Sequence, residues 1–394
     1  MNEPAVYVAT SIAKDKTHHA ARPGRLHSLD ALRGFDMFWI ISGEGIVHAL
    51  AGASKLSLFQ WGSDQLHHSV WNGFTFYDLI FPLFIFIAGV SMPYSAGNQL
   101  EKPGVTDRSL VQRKIVRALL VRTLILVLLG MVVNGLFKWQ GYDQTRFASV
   151  LGRIALASFF AAFIFLYTGI RGQLIWFAAI LLGYWALMMW VPVPGFGAGV
   201  LTPEGNLAAW VDRMVLPGKL HRQVYDPEGL LSTLPAISTA LAGILTGQFL
   251  RWQSTRWTPL KKSGAMAAAG AVLVALAWLW NPFFPINKTI WTSSFVLCAA
   301  GWSLWFLALF YWVIDVAGLR RWSMPFVWIG MNSILIYLAA HGGADFAYTA
   351  DFVFGGLIRL APPAWQPVEL AAAIAVVQLA ALYVLYKKKL FVKI

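Results

Sequence analysis

HSVWNGFTFYDLIFPLFIFIAG, residues 68–89, decides the fold, because it starts as polar chemistry and runs without a break into an apolar helix of membrane grade. If the helix begins near His68, then His68, Asn72, Thr75 and Asp78 follow one another at spacings of four, three and three and share one face. That stripe carries a carboxylate about ten residues, or roughly 15 Å, into a hydrocarbon slab. Such a group costs several kcal/mol unless it faces protein or water, which marks Asp78 as a candidate functional residue; a polar contact between helices is the plainer explanation.

Outward from this stretch, the 394 residues are 58% hydrophobic, 15% aromatic and only 12% charged, with a mean hydropathy of +0.61. That is far too apolar for a soluble domain and predicts an all-α, polytopic transmembrane helical bundle. Apolar runs able to cross about 30 Å of hydrocarbon lie at 31–50, 73–96, 115–137, 148–170, 173–192, 229–250, 263–281, 291–316, 325–345 and 367–386, about ten spans. One cysteine, Cys298, excludes an intramolecular disulfide and any cysteine cluster, and its apolar run suits packing. Residues 1–28 read as a cytoplasmic N-terminal tail without a signal-peptide core, and 29–394 as one integral domain.

The net charge of +13 is distributed unevenly. Lys14, Lys16, Arg22 and Arg25 precede the first span; Lys102, Arg108, Arg113, Lys114 and Arg117 follow the second; Arg171 follows the fourth. Arg251, Arg256, Lys261 and Lys262 follow the sixth, Arg320 and Arg321 the eighth, and Lys387, Lys388, Lys389 and Lys393 the tenth. By the positive-inside rule these share the cytoplasmic side, so both termini are expected there. Membrane lipid headgroups satisfy such cations, and their scatter over short loops disfavours nucleic acid.

On the opposite side, His68 stands at the mouth of the second span, Asp226-Pro-Glu228-Gly at the mouth of the sixth, and Asn287-Lys288 before the eighth. Glu44 and His48, four apart in the first span, point toward the same mouth, and Glu44 is a candidate to orient a histidine. Arg153 is intramembrane near that mouth, where pairing with Asp226 or Glu228 competes with contact to a substrate. At the inner end, Asp30, Arg33 and Asp36 are spaced for ion pairing along one helix. His67 and His68 are adjacent and face different ways, so no metal site is expected, and no nucleophile elbow, phosphate loop or dinucleotide fingerprint occurs. A histidine beside carboxylates remains, suited to removing a proton during group transfer or to carrying the group itself. At a membrane mouth the plainer role for a histidine is interfacial hydrogen bonding.

RLHSLDALRGFDMFWIISGEG (25–45) followed by residues 68–89 resembles the heparan-α-glucosaminide N-acetyltransferase family, especially its bacterial branch associated with N-acetylglucosamine use. LGRIALAS (151–158), YDPEGLLST (225–233), INKTIWTSSFVL (286–297) and PFVWIGMNSILIYLAAH (325–341) extend the resemblance over nearly all of the chain from Arg25. It implies a multi-pass protein of a bacterial inner membrane that takes acetyl from cytoplasmic acetyl-CoA, a co-substrate, and gives it to glucosamine or a related amino sugar on the periplasmic side. By resemblance His68 matches the catalytic histidine of a His-x-x-Trp-Asn-Gly motif, supported by Glu44 and Asp78. Glu44 departs from the asparagine of lysosomal relatives.

For the acceptor and the narrow slot of a pantetheine arm, the candidates are Trp71, Asn72, Arg153, Asp226, Glu228, Asn287, Lys288, Trp291, Asn332 and His341. For the phosphates of CoA they are Arg33, Arg113, Lys114, Arg117 and Arg122. Tryptophans at helix ends also serve as interfacial anchors. The resemblance further implies a homodimer. A proton-coupled sugar transporter, with Asp78 and His68 as its relay, is the alternative from another class.

Overall fold

The computed structural model describes residues 26–102, 106–138 and 141–392. The expected tail therefore falls almost wholly outside the described residues, as do Lys14, Lys16, Arg22, Arg25 and Lys393.

The described residues are mostly helical. Helix α1 (27–53) joins His27–Phe38 to Glu44–Ala53 through a π-turn, Trp39–Gly43, and α2 (Ser57–Gln65) folds back on it. Then come α3 (Phe76–Leu100), α4 (Arg108–Val133), α5 (Val150–Tyr167) and α6 (Ile170–Trp190). A loop carrying α7 (Leu207–Val215) leads to α8 (Thr233–Arg251), α9 (Pro259–Trp280) and α10 (Ser293–Val316). The last four are α11 (Arg321–Met331), α12 (Ser333–Gly342), α13 (Phe346–Ile358) and α14 (Gln366–Lys387). Local chemistry sets the starts. The Asp107 carboxylate accepts from the Ser109 and Leu110 N–H groups before α4, Ser149 caps α5, and Pro259 takes the first position of α9, where its missing N–H leaves nothing unpaired.

Among the described residues, eight helices are long and apolar enough to cross a membrane, nine if α11 and α12 count as one span bent by 64°. Eight of the ten expected runs coincide with these helices and the ninth, 325–345, is the bent pair. The first, 31–50, is continuous helix carrying Arg33, Asp36 and Glu44, and it is not among the helices that qualify by length and composition. Helix α13 was not among the expected runs; it is short, and it packs on α14.

Three helices form the interior. Most of α3, α8 and α10 is buried, whereas α4, α6, α9 and α14 leave most of their length for lipid. Glycine lets α3 and α8 cross at backbone contact: a Cβ on Gly243 would stand 2.1 Å from the Phe86 carbonyl oxygen, and one on Gly89 2.1 Å from that of Ala240. Small residues at such crossings give dispersion contact where lipid offers no hydrophobic driving force.

One expectation fails. Helix α3 begins at Phe76, not near His68, because Thr75 is its N-cap and residues 68–75 are irregular. The four-residue polar stripe is therefore not a helical face; it is a loop folded over the first turn of α3.

Candidate active site

That loop brings His68 to Asp78 without a shared helix. The Asp78 carboxylate, in the first turn of α3, is fully buried. Its Oδ2 accepts from the Ser69 N–H at 3.2 Å, the Ser69 hydroxyl at 2.8 Å and the Thr75 N–H at 3.2 Å. Its Oδ1 accepts from the His68 Nδ1–H at 2.9 Å. Thr75 fixes the loop a second time, its hydroxyl donating to the His67 carbonyl at 2.7 Å. The His68 ring is thereby held with Nε2 as its proton-accepting nitrogen, and its side chain is 54% exposed, open to a ligand from the mouth.

Lys288 completes the cluster from the loop before α10: its Nζ lies 3.1 and 3.3 Å from the two ring nitrogens of His68 and 3.6 Å from Asp78 Oδ1. Burial pushes the Lys288 ammonium below its ordinary range, and Asp78 only partly restores it. Tyr77 meets the His68 ring at a tilt, centroids 4.8 Å apart, and donates its hydroxyl to Glu44, which also lies 3.6 Å from His48. Glu44 thus reaches His68 through Tyr77 and lies beside His48, whose Nδ1 hydrogen-bonds with the Ser63 hydroxyl at 2.8 Å.

The other acceptor candidates divide. Asn72 accepts from the Asn287 amide at 3.1 Å, and Asn287 also accepts from the Ile290 N–H, so this pair pins the Lys288 turn to the His68 loop. Trp71 donates to the Leu201 carbonyl at 2.9 Å and meets Tyr225 edge-on. Asp226 and Glu228 both bind Arg146, Asp226 through bonds of 2.8 and 2.6 Å. Although burial opposes it, this pairing holds Asp226 below the usual carboxylate range and raises Arg146 above its own.

Arg153 is consequently not their partner: it donates to the Gly229 carbonyl at 3.1 Å and to the Ser232 hydroxyl, lies over the Trp291 ring at 4.9 Å, and has no partner for Nε or Nη1 among the described residues. Trp291 is buried at positive φ, +51°, and donates to Thr239 at 3.3 Å. Asn332 breaks the α11–α12 pair and uses its whole amide to hold the C-terminal segment, donating to the Leu390 carbonyl and accepting from the Val392 N–H, both at 3.1 Å. His341 is exposed at the end of α12, stacked on Tyr337.

A cavity of about 660 Å³ runs along α3 beneath this cluster, lined from Phe81 to Ser95. Those fifteen residues of helix, fourteen rises apart at their ends, correspond to about 21 Å. Phe81, in its wall, stands one turn below Asp78, while His68, Asp78 and Lys288 are not part of the lining. Its charged lining residues are Arg33, bonded to Ser91 at 2.9 Å, Asp30 and Arg122; Met37, Ile40 and Phe84 are among its apolar ones, and Phe391 and Val392 form part of its wall. Arg113, Lys114 and Arg117 are exposed on α4 outside the lining. The expected Asp30–Arg33 pair is present at 3.7 Å, whereas Asp36 is buried with no partner for either oxygen among the described residues.

Sequence reasoning passed over Tyr77, Ser69 and Arg146. Only Arg146 carried a signal, as a cation just before α5 facing two carboxylates at the same mouth.

The family model described as heparan-alpha-glucosaminide N-acetyltransferase, catalytic, matches residues 25–276. Two curated relatives carry the name heparan-alpha-glucosaminide N-acetyltransferase. The one from Homo sapiens is 28% identical over 81% of this chain and 53% of its own length, and the one from Mus musculus 28% identical over 94% of this chain and 61% of its own. The chain thus spans somewhat more than half the length of the relatives it matches.

Proposed function

The chain belongs to the heparan-alpha-glucosaminide N-acetyltransferase catalytic family, and from that premise we propose that it is an integral membrane acetyltransferase. It takes acetyl from acetyl-CoA on the cytoplasmic side of a bacterial inner membrane and delivers it to the amino group of glucosamine or a related amino sugar on the periplasmic side. The observation that supports this most is the His68–Asp78 pair, one turn above Phe81 in the wall of a cavity that Arg33 and Arg122 also line.

In this reading Arg33 and Arg122 hold the phosphates of CoA, and the apolar lining of the cavity takes the pantetheine arm. The thioester then lies below His68, and the amino sugar enters from the mouth. His68 Nε2 accepts the proton of the attacking nitrogen as the C–N bond forms. The C–S bond breaks, and the proton passes to the leaving sulfur. Asp78 fixes the ring tautomer throughout, as a carboxylate does in other histidine-dependent acyl transfers.

The test incubates purified protein in detergent with radiolabelled acetyl-CoA and glucosamine. Labelled N-acetylglucosamine is the expected product. Its absence from protein that binds both ligands would favour the transporter, whose structural support is the interrupted α11–α12 pair.

A further inference from the structure

We propose that Lys288 is a positioning residue that keeps His68 neutral, and so able to accept a proton, by balancing the charge of Asp78. The proposal rests on the acetyl-transfer reading above for its functional meaning, but not for its geometry.

A buried carboxylate beside an imidazole does two things at once. It fixes the tautomer, and its negative charge favours the imidazolium, which is useless as a base or as an acyl carrier until it loses its proton. The arrangement here separates the two effects. Three donors hold Asp78 Oδ2, while Oδ1 is shared between the His68 Nδ1–H at 2.9 Å and the Lys288 ammonium at 3.6 Å. Protonating His68 would set a second cation about 3 Å from the first, since Lys288 Nζ is 3.1 and 3.3 Å from the ring nitrogens. Asp78 therefore orients the ring while Lys288 opposes a second charge beside it.

The position of Lys288 is built. Asn287 is buried and holds the turn through Asn72, the Ile290 N–H and the Thr292 hydroxyl, and the Lys288 carbonyl accepts from the Trp291 N–H at 3.1 Å. The other charged and titratable groups facing the pair are few. Tyr77 lies tilted against the His68 ring with Glu44 behind it, and His67 lies against His48. Glu228 and Arg153 act on Lys288 from the α8 and α5 sides with opposite signs. None of these lies as near the ring nitrogens as Lys288.

The test is an NMR pH titration of the His68 ring in detergent-solubilised protein with isotopically labelled histidine, the signal assigned by its loss in His68→Gln. Replacing the ammonium by a neutral group, in Lys288→Gln or in the stem-preserving Lys288→Met, is expected to raise the His68 pKa by about one unit or more, the effect of removing a unit charge at contact distance in a partly aqueous site. Lys288→Arg, which keeps the charge, is expected to leave it near the wild-type value. Turnover of the neutral variants should fall at neutral pH and recover as the pH rises, with acetyl-CoA binding retained. An unmoved or lowered His68 pKa in both neutral variants overturns the proposal, as does an equal rise in Lys288→Arg. A Lys288 that only binds acceptor would raise KM at every pH, without a loss of turnover at neutral pH that recovers as the pH rises. Because the titration needs no substrate, it can fail while the radiolabel assay succeeds, and the reverse.

Discussion

At the scale of single residues, His68 carries the chemistry and very little of the packing. Its side chain is half exposed on an irregular loop, so His68→Ala should cost roughly 1 kcal/mol or less of stability. Turnover should drop by about 10²–10⁴-fold while acetyl-CoA binding persists, as measured by single-turnover kinetics beside equilibrium binding. A variant retaining more than about a tenth of wild-type turnover would return His68 to an interfacial role. Asp212 offers a separate, pH-dependent check. It lies in α7, where burial pushes its pKa up from 3.8 to about 6 although the Leu230 N–H donates to it. A carboxyl raised in the fold gives stability that is full below about pH 4 and lost as the pH climbs to about 6. Asp212→Asn keeps an acceptor for Leu230 and cannot ionise, so it should melt higher than wild type at pH 7.5, by up to about 3 kcal/mol, and equally near pH 4. His68 and Asp78 were legible in the sequence because a histidine and a carboxylate at a helix mouth are costly unless used. Tyr77 was not, since one more aromatic in an aromatic-rich span carries no signal of which way it points.

At the scale of elements, the membrane helices could be read from apolar length alone, and their buried or lipid-facing positions could not, because lipid and protein select the same apolar side chains. The start of α3 was misplaced for a local reason. Thr75-Phe-Tyr-Asp78 has the spacing of a capping box, and Asp78 does accept from the Thr75 N–H, so the cap outweighed the period of the polar residues before it. The α3–α8 crossing makes a clear prediction. Gly243→Leu forces side-chain atoms onto the Phe86 carbonyl and should destabilise by about 1–3 kcal/mol or more, lowering the melting temperature and yield of folded protein in detergent. The same change at Gly264, where a Cβ meets nothing within 4 Å, should be tolerated. Asn332→Ala strips two backbone partners from 390–392, a loss of about 1 kcal/mol per bond, and thermal melting should register it.

At the scale of the whole molecule, the positive-inside pattern and the cavity make one joint statement about direction. Sidedness is tested first with Cys298→Ser as background: cysteines placed in 51–66 and 200–222 should react with an impermeant thiol reagent from outside, and one in 103–112 should not. Acetyl-CoA affinity should fall more on neutralising Arg33 and Arg122, which line the cavity, than on neutralising the exposed Arg113, Lys114 and Arg117. Charge-assisted phosphate contacts are worth about 1.5–3 kcal/mol when desolvated and far less when exposed. The cavity was invisible in the sequence because it is assembled from α1, α3, α4, α5, the bent α11–α12 pair and the C-terminal segment, which no spacing relates. The proposed homodimer stands apart from this and is checked by mass in mild detergent, where only monomers would contradict it. Transfer of acetyl across the bilayer is tested most directly in sealed proteoliposomes with labelled acetyl-CoA on one side and glucosamine on the other. Labelled N-acetylglucosamine should accumulate on the glucosamine side when acetyl-CoA is on the Arg33 side and glucosamine on the His68 side, and His68→Ala should abolish it. Product formed only when both substrates share one side would contradict a site fed from opposite faces.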